Sequence, residues 1–144
     1  MRKIREFIAL NDLRPGDAIK AKKIGWEILD HYAVYVGQDD FNRHYFMANS
    51  MKDGVRYYSE DEVEELLREF APRQIRKFHG DEAERKHAVL RATNEEGKAY
   101  NLIRYNCEHF ANYVQYGQKK SGQVSLAGVS LTVLVFLIIG SSKG

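Results

Sequence analysis

Two residues of the sequence have the chemistry of a nucleophile and its base. Cys107 is the single cysteine of the chain, and it follows Asn106, a residue type that commonly caps helices. A thiol at a helix N-terminus lies at the positive end of the helix dipole, which favours the reactive thiolate. His31 begins an apolar and aromatic run, where a titratable side chain is unexpected. Together they predict thiol catalysis with an imidazole base.

Each of these residues also has a purely structural explanation. A lone cysteine is more often a small buried apolar side chain than a nucleophile. A histidine at a strand end is often a half-buried polar group that has no part in chemistry. Because Cys107 and His31 are far apart in the sequence, only the fold can bring them within hydrogen-bond reach.

The other histidines do not form a metal site by their spacing. His109 follows Cys107 by two positions, which on a helix turns its side chain about 200° away, so we expect a structural role. His79 and His87 lie among charged residues and are predicted to be on the surface. No pair has the His-x-x-x-His spacing of helical zinc ligands, and one cysteine excludes a disulfide or a four-cysteine zinc site. We therefore predict no metal and no cofactor.

The elements that must position this pair are a group of strands with helices around them. Residues 1–10 read as a short amphipathic lead-in and residues 11–17 as a turn. Period-two and aromatic patterns predict strands at 18–22, 31–37, 45–48 and 55–58. A capping box at Ser59 predicts a helix that continues to about residue 69 and is stopped by Pro72. Two further helices are predicted at 81–94 and at 107–116. This order indicates an α+β domain with an antiparallel sheet packed on helices.

The C-terminal segment differs sharply from the rest of the chain. Residues 121–142 carry no charge, and residues 124–139 read VSLAGVSLTVLVFLII. As a helix those residues would rise about 24 Å, slightly short of a bilayer core of ~30 Å. A buried core helix is the alternative, but the segment is apolar on all sides. We predict a catalytic domain at 1–118 (core 11–117) and a basic juxtamembrane segment and C-terminal transmembrane helix within 119–144.

The charges of the chain limit its partners and its orientation at a membrane. There are 22 lysine and arginine residues against 20 aspartate and glutamate residues, a net charge of +2. Such a balance does not predict a nucleic-acid partner, which usually requires a clustered basic face. Lys119 and Lys120 precede the apolar segment and favour the domain side as cytosolic, so we expect a single-pass tail anchor. The sequence defines no oligomeric state.

Several segments resemble one enzyme family. Residues 106–110, NCEHF, are similar to the NCEHF motif of the lecithin:retinol acyltransferase family, particularly its small tail-anchored phospholipase/acyltransferase members. Residues 13–17, LRPGD, and 31–37, HYAVYVG, resemble the opening segments of that family in the same order. Residues 116–117, YG, and 123–124, QV, also resemble segments of that family before its apolar tail. The combination is specific, although each motif alone would be weak.

The resemblance implies a permuted papain-like (NlpC-type) fold, in which the histidine strand precedes the cysteine helix. It also implies a thioester mechanism without a cofactor. Cys107 would take a fatty acyl chain from a glycerophospholipid and pass it to water, an amine or an alcohol. By motif match, His31 is the base of this reaction.

The third member of the catalytic set is where the sequence departs from the family. Family members usually carry a second histidine on the strand after the base, and the candidates here are His44 and Asn49. If Gly37 pairs with Arg43 across a five-residue loop, His31 faces Asn49, whereas His44 lies about 17 Å along the strand. We therefore favour Asn49, whose amide oxygen can accept the ring N–H, and keep His44 as the alternative.

Other interpretations remain open at this stage. An alignment on Tyr45 instead would place Ala48 at the third position. A thiol peptidase or amidase on a related permuted papain-like fold is one alternative function, but NlpC-type hydrolases carry the cysteine before the histidine. A catalytically weak membrane adaptor is another. The missing standard histidine favours the adaptor slightly, whereas the Cys107–His31 pair favours an enzyme.

Overall fold

The computed structural model describes residues 3–23 and 30–118. Within these ranges an antiparallel sheet of five strands is surrounded by four helices, which confirms the predicted α+β class with an antiparallel sheet. The strands lie side by side in the order β4-β3-β2-β1-β5. Along the chain the elements are α1 (Lys3–Leu10), β1 (Ala18–Lys23), β2 (Asp30–Gln38), β3 (His44–Ser50), β4 (Gly54–Ser59), α2 (Glu60–Leu66), β5 (Phe70–Arg76), α3 (Glu82–Asn94) and α4 (Cys107–Tyr116).

Each face of the sheet has its own apolar core. Side chains alternate between the two faces of a sheet along each strand, so neighbouring residues of β3 pack into the cores on opposite faces. Val34 and Met47 pack with Phe110 of α4 in one core, while Phe46 packs with Ile4 of α1 in the other. Helices α3 and α4 therefore cover one face, and α1 and α2 cover the other.

Local sequence signals set the starts of the later helices. The Ser59 side chain accepts a hydrogen bond from the Glu62 backbone and the Glu62 side chain binds back to the Ser59 backbone, which completes the predicted capping box of α2. Asp81 and Glu84 repeat this arrangement at α3. Such N-caps each stabilise a helix by about 1 kcal/mol.

The helix predicted to continue to about residue 69 is shorter, and the strand that follows it was not predicted. Helix α2 ends at Leu66, and Phe70–Arg76 forms strand β5 at the edge of the sheet. Pro72 does not stop a helix here but lies within this strand, opposite Ala21, where the pairing of β1 with β5 shifts its register. Proline is tolerated on an edge strand and at a bulge because its missing N–H breaks no interior ladder.

The predicted register of the β2–β3 hairpin was also wrong. Gly37 pairs with Tyr45, not with Arg43, and a bulge interrupts the pairing between Tyr35 and Gly37. The loop is closed by Asp39, whose carboxylate accepts hydrogen bonds from the backbone N–H groups of Phe41 and Arg43. The Arg43 carbonyl oxygen in turn accepts a hydrogen bond from the Asp39 N–H, so Arg43 pairs with Asp39 within the loop and not with Gly37.

A buried ion pair joins the turn before β1 to α3. The fully buried Asp17 carboxylate lies 3.0 Å from Nη1 of Arg85 and also accepts hydrogen bonds from the backbone N–H groups of Phe78 and Arg14. Lys77 adds a longer contact to the same carboxylate. Although burial alone would raise the pKa of Asp17, these hydrogen bonds outweigh it and hold that pKa below its ordinary value.

The predicted membrane anchor at 124–139 lies outside the described residues, as does the whole of 119–144. In the part of the chain that the structure describes, no helix has the length and apolarity needed to cross a membrane.

Candidate active site

Cys107 is the first residue of α4, and a tight cap fixes its backbone. Asn106 Oδ1 accepts hydrogen bonds from the N–H groups of Glu108 and His109, both at 3.0 Å. In return, His109 Nδ1 accepts a bond of 3.1 Å from the Asn106 N–H. The structural role predicted for His109 is therefore confirmed: its ring completes the capping box of the helix that carries the thiol.

The thiol of Cys107 is largely buried, with 9% of the residue exposed. Burial raises its pKa, because desolvation penalises the thiolate. The backbone N–H groups of Tyr32, Glu108 and Cys107 itself oppose the rise, whereas the Glu108 charge adds to it. Desolvation thus opposes, and exceeds, the lowering expected from the position of the thiol at a helix N-terminus. Ionisation of this thiol thus calls for a base.

His31 lies near the start of β2, opposite Ala21 of β1. Its exposed ring packs edge-on against Phe70 of β5, with the ring centroids 4.6 Å apart and the planes at 72°. By strand alternation, His31 shares a face with Ala33, whereas the next residue, Tyr32, belongs to the core beside Cys107. The Tyr32 N–H, one residue from the histidine, is directed to the cysteine sulfur.

His31 and Cys107 line the same cavity, which has a volume of about 300 Å³. Its polar lining includes Asn49 and Tyr100. The remaining wall is mostly apolar and is formed by the sheet together with α1, α2 and β5. The structure thus brings the predicted nucleophile and base to one cavity of the size of a small ligand site.

Asn49, the favoured third residue, also lines this cavity. Only 2% of it is exposed, and its Nδ2 donates a 2.8 Å hydrogen bond to the carbonyl oxygen of Tyr105. Its Oδ1 is buried and has no hydrogen-bond partner within residues 3–23 and 30–118. Continuing the observed pairing of Val34 with Met47 sets Asn49 opposite Tyr32, so the predicted pairing of Asn49 with His31 was wrong by one position, although both residues line the cavity.

His44, the alternative third residue, lies elsewhere. It pairs with Gln38 at the opposite end of β2 from His31, and it does not line the cavity. Its Nδ1 is 2.7 Å from the Tyr35 hydroxyl and its Nε2 is 3.0 Å from Nε2 of Gln38, so both ring nitrogens are engaged. Burial lowers the pKa of His44, which favours its neutral form. The structure therefore brings Asn49, and not His44, to the cavity of Cys107.

Tyr100 is a cavity residue that the sequence interpretation missed, because it lies in the connector between the predicted helices 81–94 and 107–116, where no functional residue was expected. A bridge between Asn101 and Tyr105 folds this connector back and carries Tyr100 and Leu102 to the cavity. Burial raises the pKa of Tyr100, and the nearby Cys107 adds to the rise. Aromatic and apolar side chains, Tyr100 and Leu102, in the short connector before the helix of Cys107 are the signal that could have found it.

The residues around the cavity offer no metal-binding constellation. Among the residues described by the structure, no three His, Cys, Asp or Glu side chains are grouped so that they could hold a metal ion. The chemistry open to this site is that of a thiol with an imidazole, an amide and a phenol beside it.

The family model described as lecithin retinol acyltransferase matches residues 11–120, about three quarters of the chain. The chain belongs to the lecithin retinol acyltransferase family. The match contains the cavity residues His31 and Cys107 as well as the buried Asp17. Comparison of the sequence with curated proteins gives no match. Family membership agrees with an enzyme of the acyltransferase type.

Proposed function

We propose that this member of the lecithin retinol acyltransferase family is a thiol-dependent phospholipid acyl hydrolase and acyltransferase. The observation that carries the proposal is that Cys107 and His31 line one cavity whose remaining wall is mostly apolar. A nucleophile at the polar part of an apolar cavity suits a substrate with a reactive ester and a hydrocarbon tail.

In the first half-reaction, Cys107 attacks the carbonyl carbon of a glycerophospholipid ester. The thiol proton passes to His31, a C–S bond forms, and the carbonyl oxygen becomes an oxyanion. Backbone N–H groups at the start of α4 are the donors available to that oxyanion. The ester C–O bond then breaks, His31 returns the proton to the departing oxygen, and a lysophospholipid leaves behind an acyl-cysteine thioester.

In the second half-reaction, water or an amine attacks the thioester carbon. His31 takes the proton of the attacking group and passes it to the sulfur of Cys107 as the C–S bond breaks, which restores the thiol and the neutral imidazole. Water yields a free fatty acid, whereas an amine yields an amide. Because the pKa of Cys107 is raised, the thiol does not ionise readily without a proton acceptor, and the reaction therefore requires His31 as its base.

Asn49 is proposed as the third residue of the set. Its buried Oδ1 is an acceptor without a partner among the described residues, and it lies at the same cavity as His31. Strand alternation directs His31 to the face of Ala33, so its ring has to turn across the cavity to donate an N–H to this amide oxygen. In that position the oxygen would hold the ring in the tautomer that removes a proton from the thiol.

The finer architecture and location belong to the same proposal. The histidine strand precedes the cysteine helix, as in a permuted papain-like fold. The uncharged residues 124–139 form a single-pass tail anchor, with the domain on the cytosolic side. An anchor of this kind would hold the catalytic domain at the surface where phospholipid esters are found, as in the small tail-anchored members of the family.

A thiol peptidase is the less favoured function. Peptide substrates are recognised largely through backbone hydrogen bonds and polar groups, whereas the wall of this cavity is mostly apolar beyond the catalytic residues.

The direct test is intact-mass analysis of the full chain after incubation with phosphatidylcholine vesicles, beside a Cys107→Ala control. We expect a fatty-acyl mass increment that hydroxylamine removes and that the control lacks. Addition of phosphatidylethanolamine separates transfer to an amine from hydrolysis. Acylation or lipid turnover that survives in Cys107→Ala would overturn the thioester mechanism. Cleavage of an amide peptide with no phospholipid turnover would favour the peptidase.

A further inference from the structure

The cavity extends well beyond the catalytic residues. From His31 and Cys107 it continues along one face of the sheet, beneath α1 and α2. Ala33 of β2 and Ala48 of β3 form its floor, whereas Phe7 of α1 and Val63 of α2 form its opposite wall. Small side chains on the floor and large apolar side chains above leave a space suited to a hydrocarbon chain.

The length of this space follows from the strand that runs along it. Ser50, near the catalytic end, and Phe46, at the far end, both line the cavity and lie four positions apart on β3. At ~3.3 Å per residue they span about 13 Å. An extended chain of single bonds advances about 3.5 Å for every three bonds, as a polypeptide backbone does, so this distance accommodates about eleven bonds.

Carboxylates of α2 hold α1 in place over the far end. Glu64 Oε2 accepts a 2.8 Å hydrogen bond from the Ile4 N–H, and its other oxygen accepts one from Lys3. Nη2 of Arg5 donates a 3.0 Å hydrogen bond to Glu60 Oε2, at the start of α2. Since α1 is fixed at its first turn, Ile4 and Phe7 form a defined end to the cavity and not a loose flap.

We propose that this cavity binds a single fatty acyl chain and that α1 limits the length it encloses, to about a dodecanoyl chain. The inference rests on the proposed function, because it takes the carbonyl of the bound chain to lie at Cys107. Methylene groups near the carbonyl contact Ala33, and those near the chain end meet Phe7 and Ile4. Chains longer than this gain no further binding free energy, because their additional methylene groups do not contact the apolar wall of the cavity.

The wild-type test uses the full chain and p-nitrophenyl esters from butanoyl to hexadecanoyl, with p-nitrophenol release and acyl-enzyme mass as readouts. Each methylene that enters an apolar site improves binding by about fourfold, from its transfer free energy. We therefore expect kcat/KM to rise with chain length up to about dodecanoyl and then to level off or fall. A profile that is flat, or that rises without a limit to hexadecanoyl, would overturn the proposed enclosure.

Two variants change the cavity in opposite directions. Ala33→Leu fills the floor close to the catalytic residues and should lower kcat/KM for the dodecanoyl ester by about 50-fold, equivalent to three excluded methylenes, with a much smaller loss for the butanoyl ester. Phe7→Ala opens the far end and should move the preferred length towards hexadecanoyl. A shift to longer chains cannot arise from partial unfolding. Ala83→Leu, on the exposed surface of α3, is the matched control and should retain the wild-type profile.

The outcomes separate this inference from the proposed function. If wild-type Cys107 is acylated but Ala33→Leu and Phe7→Ala retain the wild-type length profile, the chain does not bind in this cavity and the inference is wrong. If no ester of any length and no phospholipid acylates Cys107, the proposed function itself fails.

Discussion

The side-chain amide of Asn49 donates a 2.8 Å hydrogen bond from Nδ2 to the carbonyl oxygen of Tyr105, two residues before Cys107. The bond ties the end of β3 to the start of the helix that carries the thiol. The other half of the amide, Oδ1, is buried without a hydrogen-bond partner in the described part of the chain. Buried polar atoms in folded proteins are nearly always bonded, so an exception at the cavity of Cys107 is consistent with the positioning role proposed for Asn49.

The first prediction is that Asn49→Ala slows catalysis through His31. Removing the acceptor should lower kcat/KM by up to about 100-fold, the lower end of what a general base contributes. It should also change the pH profile of kcat/KM, because the imidazole loses an orienting partner. A purely structural role would lower the yield of folded protein without moving that profile. Asn94→Ala, at an exposed position at the end of α3 outside the cavity, is the control, and a wild-type pH profile in Asn49→Ala would exclude Asn49 as a positioning residue.

Local interactions explain why part of the fold and site could be predicted from the sequence. The caps at Ser59 and Asn106 depend on side chains within three residues of each helix start, so their patterns are readable in the chain itself. For the same reason, the Asn106 cap was sufficient to assign Cys107 to the first helical position. His31 could be assigned to a strand from the apolar residues that follow it.

The parts that could not be predicted depend on distant segments. Strand β5 contains Pro72 and has little β character, and it exists because β1 offers an edge with a register shift at that point. The position of Asn49 relative to His31 depends on the turn, which pairs Gly37 with Tyr45 instead of Arg43, and on the bulge in β2, which reverses part of that shift. Together they displace the register by one residue. The cavity itself needs a wall from α1, a segment that no local pattern connects with Cys107.

The second prediction concerns the reactivity of the free thiol. Burial raises the pKa of Cys107 above its ordinary value, and only the thiolate is alkylated. The rate of iodoacetamide alkylation should therefore continue to rise above pH ~8.5, the ordinary thiol pKa. Mass spectrometry of the modified residue gives the rate, and glutathione measured in parallel corrects for the reagent. A plateau well below that pH would instead show a stabilised thiolate, paired with a cation before substrate binds.

The third prediction is that the buried pair of Asp17 and Arg85 makes stability depend on acid pH. The folded-state pKa of Asp17 lies below its ordinary value of about 3.9, so its stabilisation is fully present above that pH. It is lost as the pH falls through the folded-state pKa. Asp17→Asn should lower the free energy of unfolding near neutral pH by about 3–5 kcal/mol, because it removes the charge that compensates a buried guanidinium.

Denaturant unfolding across the acid range measures this effect. The variant should lose less stability than the wild type between neutral and acid pH, since the titrating group is absent. Glu82→Gln removes a carboxylate from an exposed pair with Arg14 and should cost less than about 1 kcal/mol. Parallel pH dependence in wild type and Asp17→Asn would show that Asp17 does not produce the acid sensitivity.

The last prediction is that an apolar loop beside the cavity contacts the lipid surface. Leu102 lines the cavity, and its neighbour Ile103, which does not, is 67% exposed to solvent. A side chain of this size transferred into an apolar environment contributes about 1.5–3 kcal/mol, or roughly 10–100-fold in binding. Ile103→Glu should therefore lower turnover of phosphatidylcholine vesicles by at least about tenfold and leave hydrolysis of a soluble butanoyl ester unchanged.

Phe41→Glu, at a 78% exposed position on the β2–β3 loop outside the cavity, should affect neither activity. If Ile103→Glu loses activity equally on vesicles and on the soluble ester, Ile103 supports the catalytic site and not the lipid contact. If Ile103→Glu and Phe41→Glu lose vesicle turnover equally, the lipid contact is not specific to this loop.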